Sequence, residues 1–61
     1  MLEFSKKILL KVSFDKSLFK KELKKSTTWL DEKDIAKLKI WTLISFVQHK
    51  DIITDVFDQI S

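Results

Sequence analysis

The sequence predicts an all-α protein, a small bundle of three to four short helices. The chain contains neither glycine nor proline, although an average protein has about 7% glycine and about 5% proline. Tight β-hairpin turns depend on glycine, so their formation is disfavoured. Apolar residues recur at spacings of three and four along most of the chain, as they do in amphipathic helices.

The chain length of 61 residues allows one domain, over 1–61, with a core that is only marginally stable by itself. No cysteine is present, which excludes disulfides and thiolate metal sites. Stability must therefore come from good helix packing or from association. We expect no cofactor and no small-molecule substrate. The absence of cysteine, of a secretory signal and of a membrane span predicts a cytoplasmic protein.

The first two helices are predicted over 2–12 and about 14–29. Phe4, Ile8 and Val12 recur every four residues in the first helix. Ser13 is the candidate N-cap of the second helix, whose end we place near the weak helix formers Thr27 and Thr28. One side of the second helix is apolar and the other basic. The apolar residues are Leu18, Phe19, Leu23, Trp29 and Leu30, and the basic ones are Lys16, Lys20, Lys21, Lys24 and Lys25.

The third helix is predicted over about 32–49, after the N-cap candidate Asp31. A β-strand over 39–47 is the competing interpretation, but apolar and polar residues do not alternate there. Apolar residues form two sides. The main side comprises Ala36, Ile40, Leu43, Ile44 and Val47, and the far side comprises Leu38 and Trp41 beside Thr42 and Ser45. Because a helix that is apolar nearly all round is a buried one, we expect this helix to be central.

The fourth helix is predicted over about 51–60, with Asp51 as its N-cap candidate. Its apolar side comprises Ile52, Ile53, Val56, Phe57 and Ile60. Asp51, Asp55 and Asp58 lie on the other side and spread over about 10 Å of helix, too far apart to bind one metal ion together. This acidic side could instead pair with the basic side of a second copy.

The far side of the third helix is the first candidate functional surface, formed by Leu38, Trp41, Thr42 and Ser45. Tryptophan is frequent in interface hot spots, and the marginal size of the chain favours association. The alternative is that the first or fourth helix covers this side. The leading functional prediction is a non-enzymatic protein–protein interaction module or small accessory subunit, self-associating or bound to another protein.

The basic side of the second helix is the second candidate surface. Residues 1–25 carry a net charge of +5, and residues 26–61 carry −2. Lys16, Lys20, Lys21, Lys24 and Lys25 could bind phosphates of RNA, which gives a small RNA- or ribosome-associated protein as the alternative function. However, all twelve basic residues are lysine, and arginine provides the bidentate contacts that read sequence. A purely solvated face and a membrane surface are the other interpretations.

A catalytic site is not predicted. His49 is the only histidine, and Ser45 lies one turn before it. This pair lacks the glycine-rich elbow and oxyanion donors that nucleophilic catalysis needs. We expect His49 at a helix C-terminus, where a positive charge suits the dipole.

A resemblance covers most of the chain. The stretch VSFDKSLFKKEL (residues 12–23), followed by Trp29 and Leu30 and then by LKIW (residues 38–41), is similar to short lysine-rich hypothetical proteins of flavobacteria-type bacteria. This resemblance implies no activity, and no functional residue is carried over from it.

Overall fold

Four α-helices make up nearly all of the computed structural model, which describes residues 2–60, the last of them by its backbone alone. The helices are α1 (Leu2–Val12), α2 (Lys16–Ser26), α3 (Glu32–Ser45) and α4 (Lys50–Ile60), and a short 3-10 helix (Val47–His49) connects α3 to α4. No strand occurs in the described part of the chain. The all-α prediction is confirmed, and the competing strand over 39–47 is wrong.

Both boundaries of α1 agree with the prediction, but α2 begins later than predicted. Asp15, not Ser13, is the N-cap: its carboxylate accepts hydrogen bonds from the backbone N–H of Ser17 at 2.9 Å and of Leu18 at 3.2 Å. The Ser13 hydroxyl instead donates backwards to the Leu10 carbonyl at 3.1 Å. A charged acceptor at a residue with extended backbone satisfies two free donors of the helix start, which explains why Asp15 is the cap.

The α3 N-cap is Asp31, as predicted, and its carboxylate accepts from the Asp34 N–H at 2.9 Å. The helix ends at Ser45, earlier than predicted, because Phe46 leaves helical geometry with φ −125° and ψ 55°. The 3-10 helix then leads directly into α4, with Lys50 already helical. Asp51 is therefore not an N-cap. It lies in the first turn of α4, where its charge suits the helix dipole.

The four helices form a ring around one core. α1 packs against α2 and α3, and α4 packs against the same two helices, so that α2 and α3 lie diagonally opposite each other. α3 is thus not central, in contrast to the prediction, because four short helices in a ring each turn only one side inward. Two polar contacts join the segments between helices to the rest of the bundle: His49 Nε2 lies 2.8 Å from the carbonyl oxygen of Ser13 in the α1–α2 turn, and Trp29 Nε1 donates to Ser5 Oγ of α1 at 3.2 Å.

The core receives side chains from every helix. The buried apolar residues are Leu9, Phe19, Leu23, Leu30, Leu38, Phe46, Ile53, Val56 and Phe57. The predicted inward side of α4 is confirmed by Ile53, Val56 and Phe57. That of the second helix is confirmed in part: Phe19 and Leu23 are buried, whereas Leu18 and Trp29 are exposed. Ile60, predicted on the same side of α4, has a side chain outside the described part of the structure.

Candidate interaction surface

The two apolar sides of α3 are reversed relative to the prediction. Leu38 and Thr42, predicted to form an exposed interface, are both 0% exposed within a single chain. α1 and α4 pack against α3, which is the covering that the sequence left open as the alternative. Ser45 is exposed, and Trp41 is half-buried. Leu38 and Thr42 are core residues and are not available to a partner.

Burial of Thr42 has a local cause. Its hydroxyl donates to the carbonyls of Leu38 and Lys39, each at 2.9 Å. Because the polar group is satisfied within its own helix, the threonine enters the core without leaving a donor unpaired. The inward side of α3 therefore includes a threonine. Apolar periodicity alone treats a threonine as evidence against burial of that side.

The outward side of α3 is apolar as well. Ile40 is 61% exposed and Ile44 is 76% exposed, and Ala36, one turn before Ile40, is also exposed. We call these three residues the outer face of α3. Val47, in the 3-10 helix that follows, is 67% exposed. Apolar periodicity predicts these residues on the core side, so their exposure is the main functional feature that the sequence does not reveal.

Trp41 marks the boundary between the core and the outer face. One side of its ring system meets Phe46 edge-on, with ring centroids 5.3 Å apart. The Lys6 ammonium of α1 lies 5.4 Å from the ring centroid, within the distance of a cation–π contact. Trp41 is thus held by α1 and by the end of α3, and its half-exposed position leaves part of it accessible beside the outer face.

The charged residues of α3 end at Lys39, which is exposed and lies one position before Ile40. Lys33 and Lys37 are exposed in its first two turns, together with Glu32. The last turn carries no basic residue. The outer face is therefore bordered by charged residues as far as Ile40, and only its C-terminal end, at Ile44, is uncharged.

The predicted phosphate-binding lysines lie on the surface of α2, away from α3. Lys16, Lys21, Lys24 and Lys25 are exposed. Lys20 is partly buried and forms an ion pair with Asp55 of α4, with Nζ 3.5 Å from Oδ2. One of the five lysines is thus already paired with the acidic side of α4 in the same chain, so part of the complementarity predicted between two copies is satisfied within one.

The acidic side of α4 borders a shallow, open depression. Lys50, Asp51, Thr54, Asp55 and Asp58 line it. Among the residues that the structure describes, no group of three or more histidine, cysteine, aspartate or glutamate side chains is arranged to bind a metal ion. The residues around the depression therefore form a charged surface and, within the described part of the chain, no cluster suited to a metal ion.

His49 is the last residue of the 3-10 helix, so it does lie at a helix C-terminus as predicted, but its side chain is buried in the core. Its ring packs at 4.7 Å from Phe19 and 6.5 Å from Phe46, and Nε2 contacts the Ser13 carbonyl. That carbonyl can only accept, so Nε2 carries the proton. Ser45 is exposed, whereas His49 is only 6% exposed, and no hydrogen bond joins them. The arrangement makes His49 a connection between the 3-10 helix and the α1–α2 turn.

Comparisons with known proteins return no family model, no curated protein and no solved structure that matches this chain. The resemblance to lysine-rich flavobacterial proteins stays a prediction. Across residues 2–60, none of the helices combines the length and the apolar character that crossing a bilayer requires. Function must accordingly be inferred from the surfaces described above.

Proposed function

We propose that this protein is a non-enzymatic protein–protein interaction module, or a small accessory subunit, that associates through the outer face of α3. The observation that carries the proposal is that α3 is apolar on two opposite sides, of which the chain covers only one. Leu38 and Thr42 are enclosed, whereas Ile40 and Ile44 are mostly exposed.

The exposed isoleucines favour a partner on energetic grounds. Burying the exposed part of one isoleucine side chain contributes on the order of 1–2 kcal/mol, at about 25 cal/mol per Å². Single exposed apolar residues are ordinary, but Ala36, Ile40 and Ile44 are aligned at four-residue spacing on one helix. Apolar residues aligned in this way are how a helix docks on another protein surface.

The charge pattern also fits docking on a protein. Charged residues are depleted from the centres of protein interfaces and are found at their rims. Lys33, Lys37 and Lys39 precede Ile40 in the helix, and no charged residue of α3 follows it. A partner can therefore cover the apolar part while the lysine ammonium groups stay in water.

Binding to RNA phosphates is the second candidate function. It is supported by the exposure of Lys16, Lys21, Lys24 and Lys25 on α2. Because α2 and α3 are diagonal in the ring, the two candidate surfaces are separate and can be altered independently. The pairing of Lys20 with Asp55 and the lack of arginine make this the weaker candidate.

The test compares three immobilised proteins as bait: the wild type, Ile40→Lys combined with Ile44→Lys, and the control Phe4→Lys. Phe4 is 54% exposed, a fraction similar to the 61% of Ile40. It precedes Lys6, the residue that contacts Trp41, by two positions, so it projects from nearly the opposite side of α1. The ligands are the same chain, labelled, and proteins from the source cell.

We expect the wild type and Phe4→Lys to retain the same protein partner and the double variant to lose it. All three proteins should keep the same helical circular dichroism, because the changed positions are exposed. Equal retention by the double variant and the wild type would contradict the proposed use of the outer face.

A further inference from the structure

The outer face of α3 is asymmetric along the helix in both size and charge. Ala36, its smallest residue, lies one turn before Ile40, and Ile44 lies one turn after it. Lys33, Lys37 and Lys39 all precede Ile40, and the last turn has no basic residue. A matching surface would offer a large apolar group opposite Ala36 and a small one opposite Ile44. Its positive charges would lie opposite the C-terminal end of α3.

We propose that the partner at this face is a second copy of the chain, with the two α3 helices antiparallel and related by a two-fold axis at Ile40. This inference rests on the proposed function and specifies its partner. In this arrangement Ala36 lies opposite Ile44 of the second copy, and Ile40 lies opposite its own counterpart. Each large side chain then faces a small one on either side of the axis, which allows the two helices to approach closely.

Electrostatics select the antiparallel orientation over the parallel one. In a parallel pair, Lys33 and Lys37 would lie beside the same lysines of the second copy, and like charges repel. In the antiparallel pair Lys33 and Lys37 lie near the C-terminal end of the other α3, where the backbone carbonyls give a partial negative charge. That end has no basic residue of its own, so the lysines of the second copy complement it. Only Lys39, one position from the axis, stays close to its own counterpart.

The size of the surface implies a weak dimer. α3 has 14 residues, which at about 1.5 Å per residue is about 21 Å of helix. A standard interface buries about 800 Å² on each partner, which would be about a fifth of the 4150 Å² accessible surface of this chain. A single helix face provides less than that. We therefore expect a dimer that dissociates in the micromolar range or above.

Cysteine cross-linking tests both the partner and its orientation, because the chain has no cysteine of its own. The variants are Ala36→Cys, Ile40→Cys and Ile44→Cys, with Phe4→Cys as the control at an exposed apolar position outside α3. Each is oxidised mildly, alone and as an equal mixture of Ala36→Cys with a size-tagged Ile44→Cys. Rates of disulfide formation are followed by mass spectrometry.

We expect rapid cross-linking of Ile40→Cys with itself and of Ala36→Cys with Ile44→Cys. Ala36→Cys alone and Ile44→Cys alone should react slowly, because their own counterparts lie about 12 Å apart along the helix axis, beyond the reach of a disulfide. The reverse pattern, in which each of these two cross-links with itself and the mixture is slow, would show a parallel pair and overturn the inference.

Two other outcomes separate failure of this inference from failure of the proposed function. If wild-type sedimentation gives the mass of one chain at concentrations up to about 1 mM, the second copy is excluded, while the bait experiment still decides whether the outer face binds another protein. If a dimer forms but Phe4→Cys cross-links as fast as Ile40→Cys, association uses another surface, and the inference and the proposed self-association through α3 both fail.

Discussion

Leu38 and Ile40 are two residues apart on α3 and have opposite environments. Leu38 is enclosed, at 0% exposure, whereas Ile40 is 61% exposed. Two positions correspond to a rotation of about 200° around a helix, so the side chains project from nearly opposite sides. Their contributions to the free energy of unfolding of one chain should therefore differ sharply, although both are large aliphatic residues.

Truncating each residue to alanine measures this difference. We expect Leu38→Ala to lower the free energy of unfolding by about 2–5 kcal/mol, since it removes buried methyl groups and leaves a cavity. Ile40→Ala should change it by no more than about 0.5 kcal/mol, as exposed substitutions do. Urea denaturation at a protein concentration low enough to prevent association provides both values. A larger loss for Ile40→Ala would mean that α3 is turned the other way.

The orientation of α3 is the main property that the sequence could not determine. Apolar periodicity favours the side with more apolar residues, and this is the side with Ile40 and Ile44. In the structure Leu38 instead joins the buried core with residues of the other helices, and such contacts between residues distant in the chain leave no signal in the local periodicity. Burial of Thr42 then costs little, since its hydroxyl is bonded within α3.

At the scale of the elements, some helix boundaries could be predicted from the local sequence and others could not. The caps at Asp31 and the length of α1 follow from local sequence, and the prediction was right for both. The start of α2 was assigned to Ser13, two residues early, because serine and aspartate are nearly equal as N-caps. The end of α3 is predicted too late, because the helix breaks at Phe46, which packs against Phe19 and Trp41, without the glycine or proline that would mark a helix end in the sequence.

A pair of substitutions distinguishes the two candidate caps of α2. We expect Asp15→Ala to lower the free energy of unfolding by about 1 kcal/mol, within a range of about 0.5–2 kcal/mol, because two backbone N–H groups lose their acceptor. Ser13→Ala should have a smaller effect, since the Ser13 hydroxyl only donates to a carbonyl behind it.

Thermal unfolding followed by circular dichroism measures both variants, with the exposed Ser17→Ala as a control for loss of a hydroxyl near the same turn. If Ser13→Ala proved the more destabilising of the first two, α2 would have to begin at the position predicted from the sequence.

At the scale of the whole molecule, the ring of helices separates two surfaces of different chemistry. The lysine-rich side of α2 and the outer face of α3 belong to helices that lie diagonally opposite. α2 carries five lysines and one acidic residue, whereas α3 carries three lysines and two acidic residues, so the excess of positive charge is larger on the side away from the proposed interface. Lys20 and Asp55 form an ion pair across α2 and α4, but both are substantially exposed, and such pairs contribute little to stability.

The response to salt distinguishes the two candidate functions in one series of measurements. If four lysines of α2 bound phosphates of single-stranded RNA, raising the salt from about 50 to about 200 mM would weaken binding by about 50-fold, from a slope of about 0.7 per phosphate. Association through the outer face of α3 should stay within about twofold over the same range, because apolar burial does not depend on screening.

The two readouts are retention on an RNA column and the sedimentation mass of the wild type, each measured across the salt series. A variant combining Lys21→Gln, Lys24→Gln and Lys25→Gln should reduce any RNA retention and leave the mass unchanged. The combination of Ile40→Lys with Ile44→Lys should lower the sedimentation mass to that of one chain, because it removes the apolar contact. It should not reduce RNA retention, because it adds positive charge. Salt-sensitive RNA retention that needs the α2 lysines, together with a single-chain mass throughout, would favour the RNA-binding function, because the outer face of α3 would then have no role in association.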